Sequence, residues 1–290
     1  MPGVNRKMII CGGNRRELEL YRCWKNEGLG IKAAGFEQVP GMEKASESDF
    51  REAAALIAPL SGISAGGYVR APLGGGELDL CACLKKSPPG VILLTGSVNG
   101  SLQEKLARRT VLVITMEDEE LALLNAIPTA EGAIQKAMEL SRVTLHGSNV
   151  LLFGLGRCGR ALAGALKGLG AGVTAVVRRS ESAALAYSMG LASCDLKSAA
   201  AAASDADFIF NTVPAPLLTA SFLQRVKRKA IILDLASSPG GTDFAAASRL
   251  GLKAELLPGL PGLVAPETAG QILNLVYRRL IAEAAKTKNT

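Results

Sequence analysis

Three glycines, Gly154, Gly156 and Gly159, stand between the apolar run 150–153 and a stretch in which Leu162, Leu166 and Leu169 share one helical face. A G-x-G-x-x-G placed between strand and helix is the turn that binds a dinucleotide. The first glycine makes the tight turn, the second lets the backbone approach a pyrophosphate, and the third lets the helix pack closely on the strand. The helix N-terminus then offers unpaired N–H groups and the positive end of its dipole to the phosphates. Leu155, Arg157 and Cys158 fill the variable positions and count with the glycines as cofactor-binding candidates. Glycine-rich turns also occur without a ligand; the strand–turn–helix context is what favours the dinucleotide here.

The end of the following strand selects the cofactor. An acidic residue there accepts the adenine ribose hydroxyls and favours NAD. About two dozen residues beyond the first glycine, this chain has Arg178, Arg179 and Ser180 instead. A guanidinium offers forked donors to a 2′-phosphate and the serine adds a hydroxyl, so the expected cofactor is NADP; the plainer alternative is a solvated basic turn. Asn211, Thr212, Val213 and Pro214 follow one later apolar run, and Leu235, Ala236 and Ser237 follow the next. Parallel sheets bind ligands at the carboxyl ends of their strands, so both runs are candidates to line the nicotinamide ribose and ring. The Pro/Gly-rich run 257–266, with Gly259 and Pro261, fits either a loop closing over that ring or a rigid connector.

Acid–base candidates are few. His146 is the single histidine, and it lies at the N-terminal end of the strand before the glycines, away from the usual crevice, so a structural role is expected. No His/Cys/Asp cluster has metal-ligand spacing, and there is no G-x-S-x-G nucleophile turn. What remains is hydride transfer, in which the cofactor carries the hard chemistry and the protein supplies position and charge.

Positioning these residues takes two doubly wound parallel-sheet, Rossmann-like α/β domains, the second binding the dinucleotide and the C-terminal helix returning to the first. The expected boundaries are 1–125 with the helix 267–290 for a substrate domain, and 126–266 for the NADP-binding domain with its connecting helix. In the first half, strands are expected at 8–11, 31–34, 56–60, 91–94 and 111–114. A helix follows the first of them, and a long Gly/Ser/Pro loop at 61–76 is either functional or mobile. Pro128 suits the first turn of a new helix over 129–141 that leads into the glycine motif. In the second half, strands are expected at 173–177, 208–211, 230–235 and 252–256. The last helix puts Ile272, Val276, Leu280 and Ala284 on one face, and the tail 286–290 is expected to fray.

Composition narrows the partners. At 290 residues and 48% hydrophobic, the chain is long enough for two cores. Its net charge of +7 is not gathered into Lys/Arg blocks interleaved with aromatics, so a surface that collects an anionic cofactor and substrate is favoured over nucleic-acid binding. The six cysteines are scattered, and Cys81-x-Cys83 has neither redox nor zinc spacing; they read as small buried residues of a reducing cytosol. There is no signal-peptide core and no apolar run of membrane-spanning length, so no membrane contact and a cytoplasmic location are expected.

Several runs together resemble one family, the A subunit of dipicolinate synthase from spore-forming bacteria. They are Cys11-Gly-Gly-Asn-Arg-Arg-Glu17, Asn125-Ala-Ile-Pro-Thr-Ala-Glu-Gly132, Thr144-Leu-His-Gly-Ser148, the glycine motif, Asn211-Thr-Val-Pro214, Asp234-Leu-Ala-Ser237 with Pro239-Gly-Gly-Thr-Asp-Phe244, and Pro258-Gly-Leu-Pro-Gly262 with Ala265-Pro-Glu-Thr-Ala-Gly270. They span nearly the whole chain in order. The resemblance implies an NADP-linked oxidation of dihydrodipicolinate to dipicolinate in the mother-cell cytoplasm during sporulation. It also implies a flavoprotein-like partner, the B subunit of dipicolinate synthase; a homo-oligomer is expected as well. It places the family arginine of the first loop, usually G-D-x-R-Q, at Arg16, with Asn14 and Glu17 where Asp and Gln are usual. Cys158 stands where Thr is expected. For a substrate with two carboxylates, the resemblance makes Arg16, the amides near Thr129, and the hydroxyls of Ser61, Thr95 and Thr129 the candidate catalytic-site receptors. Two other readings stay open: a non-catalytic NADP-binding scaffold, and another two-domain NAD(P)-dependent hydroxy- or amino-acid dehydrogenase.

Overall fold

Apolar runs of four or five residues, too short for helices, alternate with amphipathic stretches along the chain, and such alternation folds as parallel strands with helical crossovers. In the computed structural model, which describes residues 7–287, the chain forms two units, Met1–Asn125 with Pro261–Thr290 and Ala126–Leu260.

The first unit runs β1 (Lys7–Cys11), α1 (Arg15–Asn26), β2 (Ile31–Ala34), α2 (Glu47–Arg51), β3 (Ala53–Ile57), β4 (Tyr68–Ala71), β5 (Gly76–Asp79), α3 (Leu80–Lys86), β6 (Val91–Thr95), α4 (Gly100–Ala107) and β7 (Thr110–Ile114), then a single 3-10 turn and the start of α5 (Glu119–Leu140). Five strands form a parallel sheet in the order β2-β1-β3-β6-β7. β6 is buried at every position, as a central parallel strand requires. The order reverses between β1 and β3, so the crevice of this sheet opens beyond their carboxyl ends.

The second unit contains the rest of α5, then β8 (Asn149–Phe153), α6 (Arg157–Gly168), β9 (Gly172–Val176), α7 (Ser180–Ser188), β10 (Ala192–Cys194), α8 (Leu196–Ala202), β11 (Phe208–Asn211), α9 (Ala220–Leu223), β12 (Ile231–Asp234), α10 (Phe244–Arg249) and β13 (Lys253–Leu256). Its six parallel strands follow the order β10-β9-β8-β11-β12-β13, the arrangement of dinucleotide-binding sheets, with the switch point between β8 and β11. After β13 come α11 (Leu260–Val264) and α12 (Pro266–Thr287). α12 returns to the first unit, where Leu273, Val276 and Tyr277 join the core formed with Leu20, Tyr21 and Trp24 of α1. The Trp24 indole donates to Asn274 Oδ1 at 2.8 Å, so the two helices share a polar tie inside the apolar seam.

Several expectations change. The 61–76 stretch is not one loop: Tyr68 to Ala71 pairs antiparallel with Gly76 to Asp79, and exposed Tyr68 and Arg70 alternate with buried Val69 and Ala71. β3 begins three residues earlier than expected and stops before Pro59, which has no N–H for the ladder. The helix expected to start at Pro128 is one continuous helix from Glu119, with Pro128 in its interior. A mid-helix proline costs about 3 kcal/mol; here the buried alanine face Ala126, Ala130, Ala133 and Ala137 offsets it by packing. At the C-terminus, Lys286 and Thr287 of the expected frayed tail belong to α12, and 288–290 lie outside the described residues.

The α1–α12 seam sets a size limit. A Cβ on Gly270 would lie 2.4 Å from the Glu19 Cβ and 3.0 Å from the Leu20 amide nitrogen, whereas one on Gly164 in α6 meets nothing within 4 Å. Gly270→Ala is therefore expected to lower the unfolding free energy by about 1–3 kcal/mol through overpacking. Gly164→Ala is expected to raise it by up to about 1 kcal/mol through helix propensity. Urea unfolding followed by circular dichroism reads both; an unchanged midpoint for Gly270→Ala contradicts the seam.

Candidate functional site

Each unit gathers its chemistry at the carboxyl end of its sheet. In the second unit β8 delivers the chain into Gly154, whose φ of +89° makes the sharp turn. A Cβ there would stand 2.6 Å from both Thr212 Oγ1 and Val213 Cγ2, and one on Gly159 would stand 2.2 Å from the Gly154 carbonyl oxygen. Both positions are closed to any other residue. Gly156 differs: nothing lies within 4 Å of its would-be Cβ, and as N-cap of α6 it supplies no side-chain cap. Gly156 and Arg157 are both exposed, so the backbone at the very start of α6 is open, which fits a pyrophosphate approaching it. Leu155 is buried beneath the turn and Arg157 is exposed. Burial raises the Cys158 thiol above its ordinary range, against the opposing pull of Arg157, so at neutral pH it is a thiol and not a thiolate. Beyond the end of β9, Arg178, Arg179 and Ser180 are all exposed, and Arg179 is the N-cap of α7 without a side-chain cap bond.

The next loops of this sheet are tied together from within. Asn211 is fully buried; its amide donates to Val213 O (3.0 Å) and Asp234 Oδ1 (3.0 Å) and accepts from Val213 N (3.1 Å). Its polar atoms are therefore spent on shaping the loop, which corrects the expectation of a cofactor-facing side chain. Thr212 likewise donates its hydroxyl to the Phe153 carbonyl at 2.9 Å. Val213 is half-buried against the glycine turn, Pro214 and Ser237 are exposed, Leu235 is half-buried, and Ala236 is buried with its N–H on Asp234.

In the first unit the turn after β1 (Gly12, Gly13, Asn14), the start of α1, and the loops after β3 and β6 converge at the switch point. Asn14 caps α1. Glu17, 1% exposed, accepts from Asn14 N (2.8 Å), from Leu60 N in the loop after β3 (3.1 Å), and from Arg16 Nε (3.3 Å). Arg16 is 5% exposed, and only its Nε is engaged among the described residues; its two Nη groups remain available. The Arg70 carbonyl on the β4–β5 hairpin accepts from Gly13 N at 2.8 Å, so the hairpin closes one side of the turn. Behind it the Thr115 hydroxyl donates to Thr95 O (3.1 Å) and lies 3.3 Å from the Tyr277 hydroxyl, which burial pushes far above its ordinary range.

Arg16, Ser61 and Thr95 thus come together at one sheet end. Ser61 is exposed, while Thr95 is fully buried and donates its hydroxyl to Ser97 O, so its side chain is structural. Thr129 lies inside α5 within the second unit, and a mid-helix amide is spent on the helix's own ladder, so the expected anion-binding helix start does not exist there. Gly259 is exposed in the turn after β13, and Pro261 is buried in α11, where Gly262 packs against the Asn14 and Arg16 side chains. His146 sits against Gly170 at the amino end of β8. Sequence reasoning missed Glu17, Asp234 and Thr242 as organisers of these loops. For Glu17 the signal was available, since Asn14-x-x-Glu17 is a capping-box spacing. Among the described residues no group of His, Cys, Asp or Glu is placed to hold a metal ion, and no helix is long and apolar enough to cross a membrane.

Comparison with known proteins bears on both units. Residues 7–116 match the N-terminal domain of the dipicolinate synthase A subunit, and residues 122–239 match the NAD-binding domain of D-isomer-specific 2-hydroxyacid dehydrogenases. The A subunit of dipicolinate synthase from Bacillus subtilis (strain 168) is 36% identical over 285 residues, covering 96% of each chain. The crystal structure of the corresponding Bacillus halodurans protein superposes with a TM-score of 0.88 at 36% identity, covering 96% of this chain and 98% of that one. A Salmonella D-lactate dehydrogenase, 15% identical over 95% of this chain and 96% of its own with a TM-score of 0.63, shares the fold alone. The second unit is the nicotinamide-dinucleotide-binding domain of a dehydrogenase-type protein.

The two inner glycines separate binding from folding. Gly156→Ala is expected to keep the melting temperature within about two degrees yet weaken NADH and NADPH binding by about tenfold or more, since its methyl occupies the space a pyrophosphate needs. Gly159→Ala is expected to lose both binding and stability. Fluorescence titration with thermal unfolding distinguishes them; tight binding by Gly156→Ala contradicts the cradle.

Proposed function

The chain belongs to the dipicolinate synthase A-subunit family, and on that premise we propose that it catalyses the NADP-linked oxidation of dihydrodipicolinate to dipicolinate. The observation that carries this reading is the buried Arg16–Glu17 pair at the switch point of the first sheet. Glu17 engages Nε and leaves the two Nη groups of Arg16 as an end-on fork, the geometry that receives a carboxylate with two parallel bonds. Ser61, exposed on the neighbouring loop, supplies a further hydroxyl within the same crevice. Such a site suits one carboxylate of a dicarboxylate ring.

The nicotinamide supplies a hydride acceptor, and the protein's own contribution is orientation and charge. Loss of a hydride and a proton from a dihydropyridine dicarboxylate gives an aromatic ring, so the reaction runs downhill and asks little of a protein base. That suits a chain whose single histidine lies at the opposite end of its strand. Arg178, with Arg179 and Ser180, receives the adenosine 2′-phosphate, which makes NADP the preferred cofactor. Family membership further supports assembly with the flavoprotein-like B subunit of dipicolinate synthase, a homo-oligomeric state and work in the mother-cell cytoplasm during sporulation.

Turnover decides between this enzyme and a non-catalytic NADP-binding scaffold. The purified chain, given NADP and enzymatically generated dihydrodipicolinate with and without the B subunit, is expected to form NADPH and dipicolinate in equal amounts. Absence of both products from both mixtures would sink the proposal, and turnover only with the B subunit would leave the scaffold reading alive. Arg16→Ala should abolish product formation while leaving NADPH binding intact. Arg178→Ala should weaken NADPH binding about 10- to 100-fold, the worth of a lost charge-assisted bond, with NADH affected little; equal losses for both cofactors would remove the basis for NADP preference.

A further inference from the structure

Asp234 ends β12 with no exposed surface, and among the described residues no lysine or arginine pairs with it. Its two oxygens accept four bonds. Asn211 Nδ2 (3.0 Å) and Ala236 N (3.0 Å) donate to Oδ1, and Gly241 N (2.8 Å) and Thr242 Oγ1 (2.7 Å) donate to Oδ2. A buried carboxylate without a counter-cation persists only where fixed dipoles replace its hydration, and here four neutral donors converge on it.

These donors belong to three separate segments. Asn211 opens the loop after β11 and holds Val213 at both its N–H and its carbonyl. Ala236 begins the loop after β12. Gly241 and Thr242 close that loop, and a Cβ on Gly241 would lie 2.3 Å from Ala215 O, 2.6 Å from Asn211 Nδ2 and 2.8 Å from Val213 O, so the third segment is seated directly on the first. Leu218 N then donates to Gly241 O at 3.0 Å, and Asp243 N to Leu218 O at 3.0 Å. One carboxylate is the common anchor of the segments that follow β11 and β12.

In a sheet of this strand order the pyrophosphate and adenosine lie against the turns after β8 and β9, while the loops after the strands beyond the switch point face the nicotinamide half. Asp234 touches only the second set. We propose that Asp234 is a positioning residue for the nicotinamide half of the cofactor: it fixes the loops after β11 and β12 in the shape the ring and its ribose require, and makes no direct contact with the turns that take the adenine half. This rests on the dehydrogenase reading of the second unit and not on the identity of the substrate. The carboxylate is required because an amide in its place would turn an NH2 group either toward the Gly241 main-chain N–H or toward Asn211 Nδ2 and the Ala236 N–H, leaving donor facing donor.

The test uses binding alone, on the full chain. NADPH, NADH, and the adenine-half probes 2′,5′-ADP and ADP are titrated calorimetrically into wild type, Asp234→Asn, Thr242→Val and Thr242→Ser. Asp234→Asn is expected to weaken NADPH and NADH alike by about tenfold or more while 2′,5′-ADP and ADP bind within about twofold of wild type. Thr242→Val, which removes one of the four bonds, should lie between, and Thr242→Ser should restore wild-type affinity. A merely structural carboxylate would weaken all four ligands together, and that result overturns the proposal, as does unchanged NADPH and NADH affinity in a folded Asp234→Asn. If Asp234→Asn does not fold, Thr242→Val and its serine rescue decide by the same comparison. Failure of wild type to bind either dinucleotide would instead overturn the dehydrogenase reading, so the two failures are distinguishable.

Discussion

Buried carboxylates accepting main-chain N–H groups at the carboxyl end of a parallel sheet are the constraint on which both units depend. The first amide after a strand still reaches a neighbouring strand, as Gly12 N reaches Ala34 O and Leu235 N reaches Asn211 O, but amides further into the loop do not, and leaving them buried without partners costs about 1–3 kcal/mol each. Glu17 satisfies two such amides, one in the turn after β1 and one in the loop after β3, neighbours across the switch point. Asp234 satisfies two more, at Ala236 and Gly241, and adds the Asn211 amide and the Thr242 hydroxyl. In each unit one side chain ties neighbouring loops into a single rim.

The close approach of the tied loops explains where several glycines fall. Gly96 passes so close to Leu60 that a Cβ would lie 1.8 Å from its carbonyl oxygen, and Gly62 is crowded by Ser97 in the same way, because the loops after β3 and β6 are drawn together beside Glu17. Gly241 is likewise pinned beside Asp234. Within the dinucleotide turn, Gly156 faces open space while Gly154 and Gly159 do not. In this turn the crowded glycines serve the protein's own packing, and Gly156 alone of the three leaves room at the backbone.

Much of this was legible in the sequence. β2 and β11 fall where the apolar runs placed them, and the strand–turn–helix of residues 149–168 follows from glycine spacing and leucine periodicity. What stayed hidden depended on partners distant in the chain. Pro128 reads locally as a helix start, and only packing of the alanine face across tertiary structure carries the helix through it. Residues 68–79 lack strong strand formers at several positions, and their pairing as a hairpin is a non-local event. Asn211 and Thr95 look like ligand-facing polar residues at strand ends; that their bonds are already spent on Asp234, Val213 and Ser97 appears only in three dimensions. Asp234 stands in one of the family runs without a visible role there, since nothing in local spacing shows that four donors will converge on it.

Substrate recognition comes down to whether the free fork of Arg16, held by Glu17, receives one carboxylate of a pyridine dicarboxylate. A crystal structure of the chain with NADPH and dipicolinate measures this directly. The expected result is one dipicolinate carboxylate across the two Nη groups of Arg16 at about 2.7–2.9 Å, with Glu17 still on Nε. Dipicolinate bound elsewhere, with the Arg16 fork left unengaged, would contradict it.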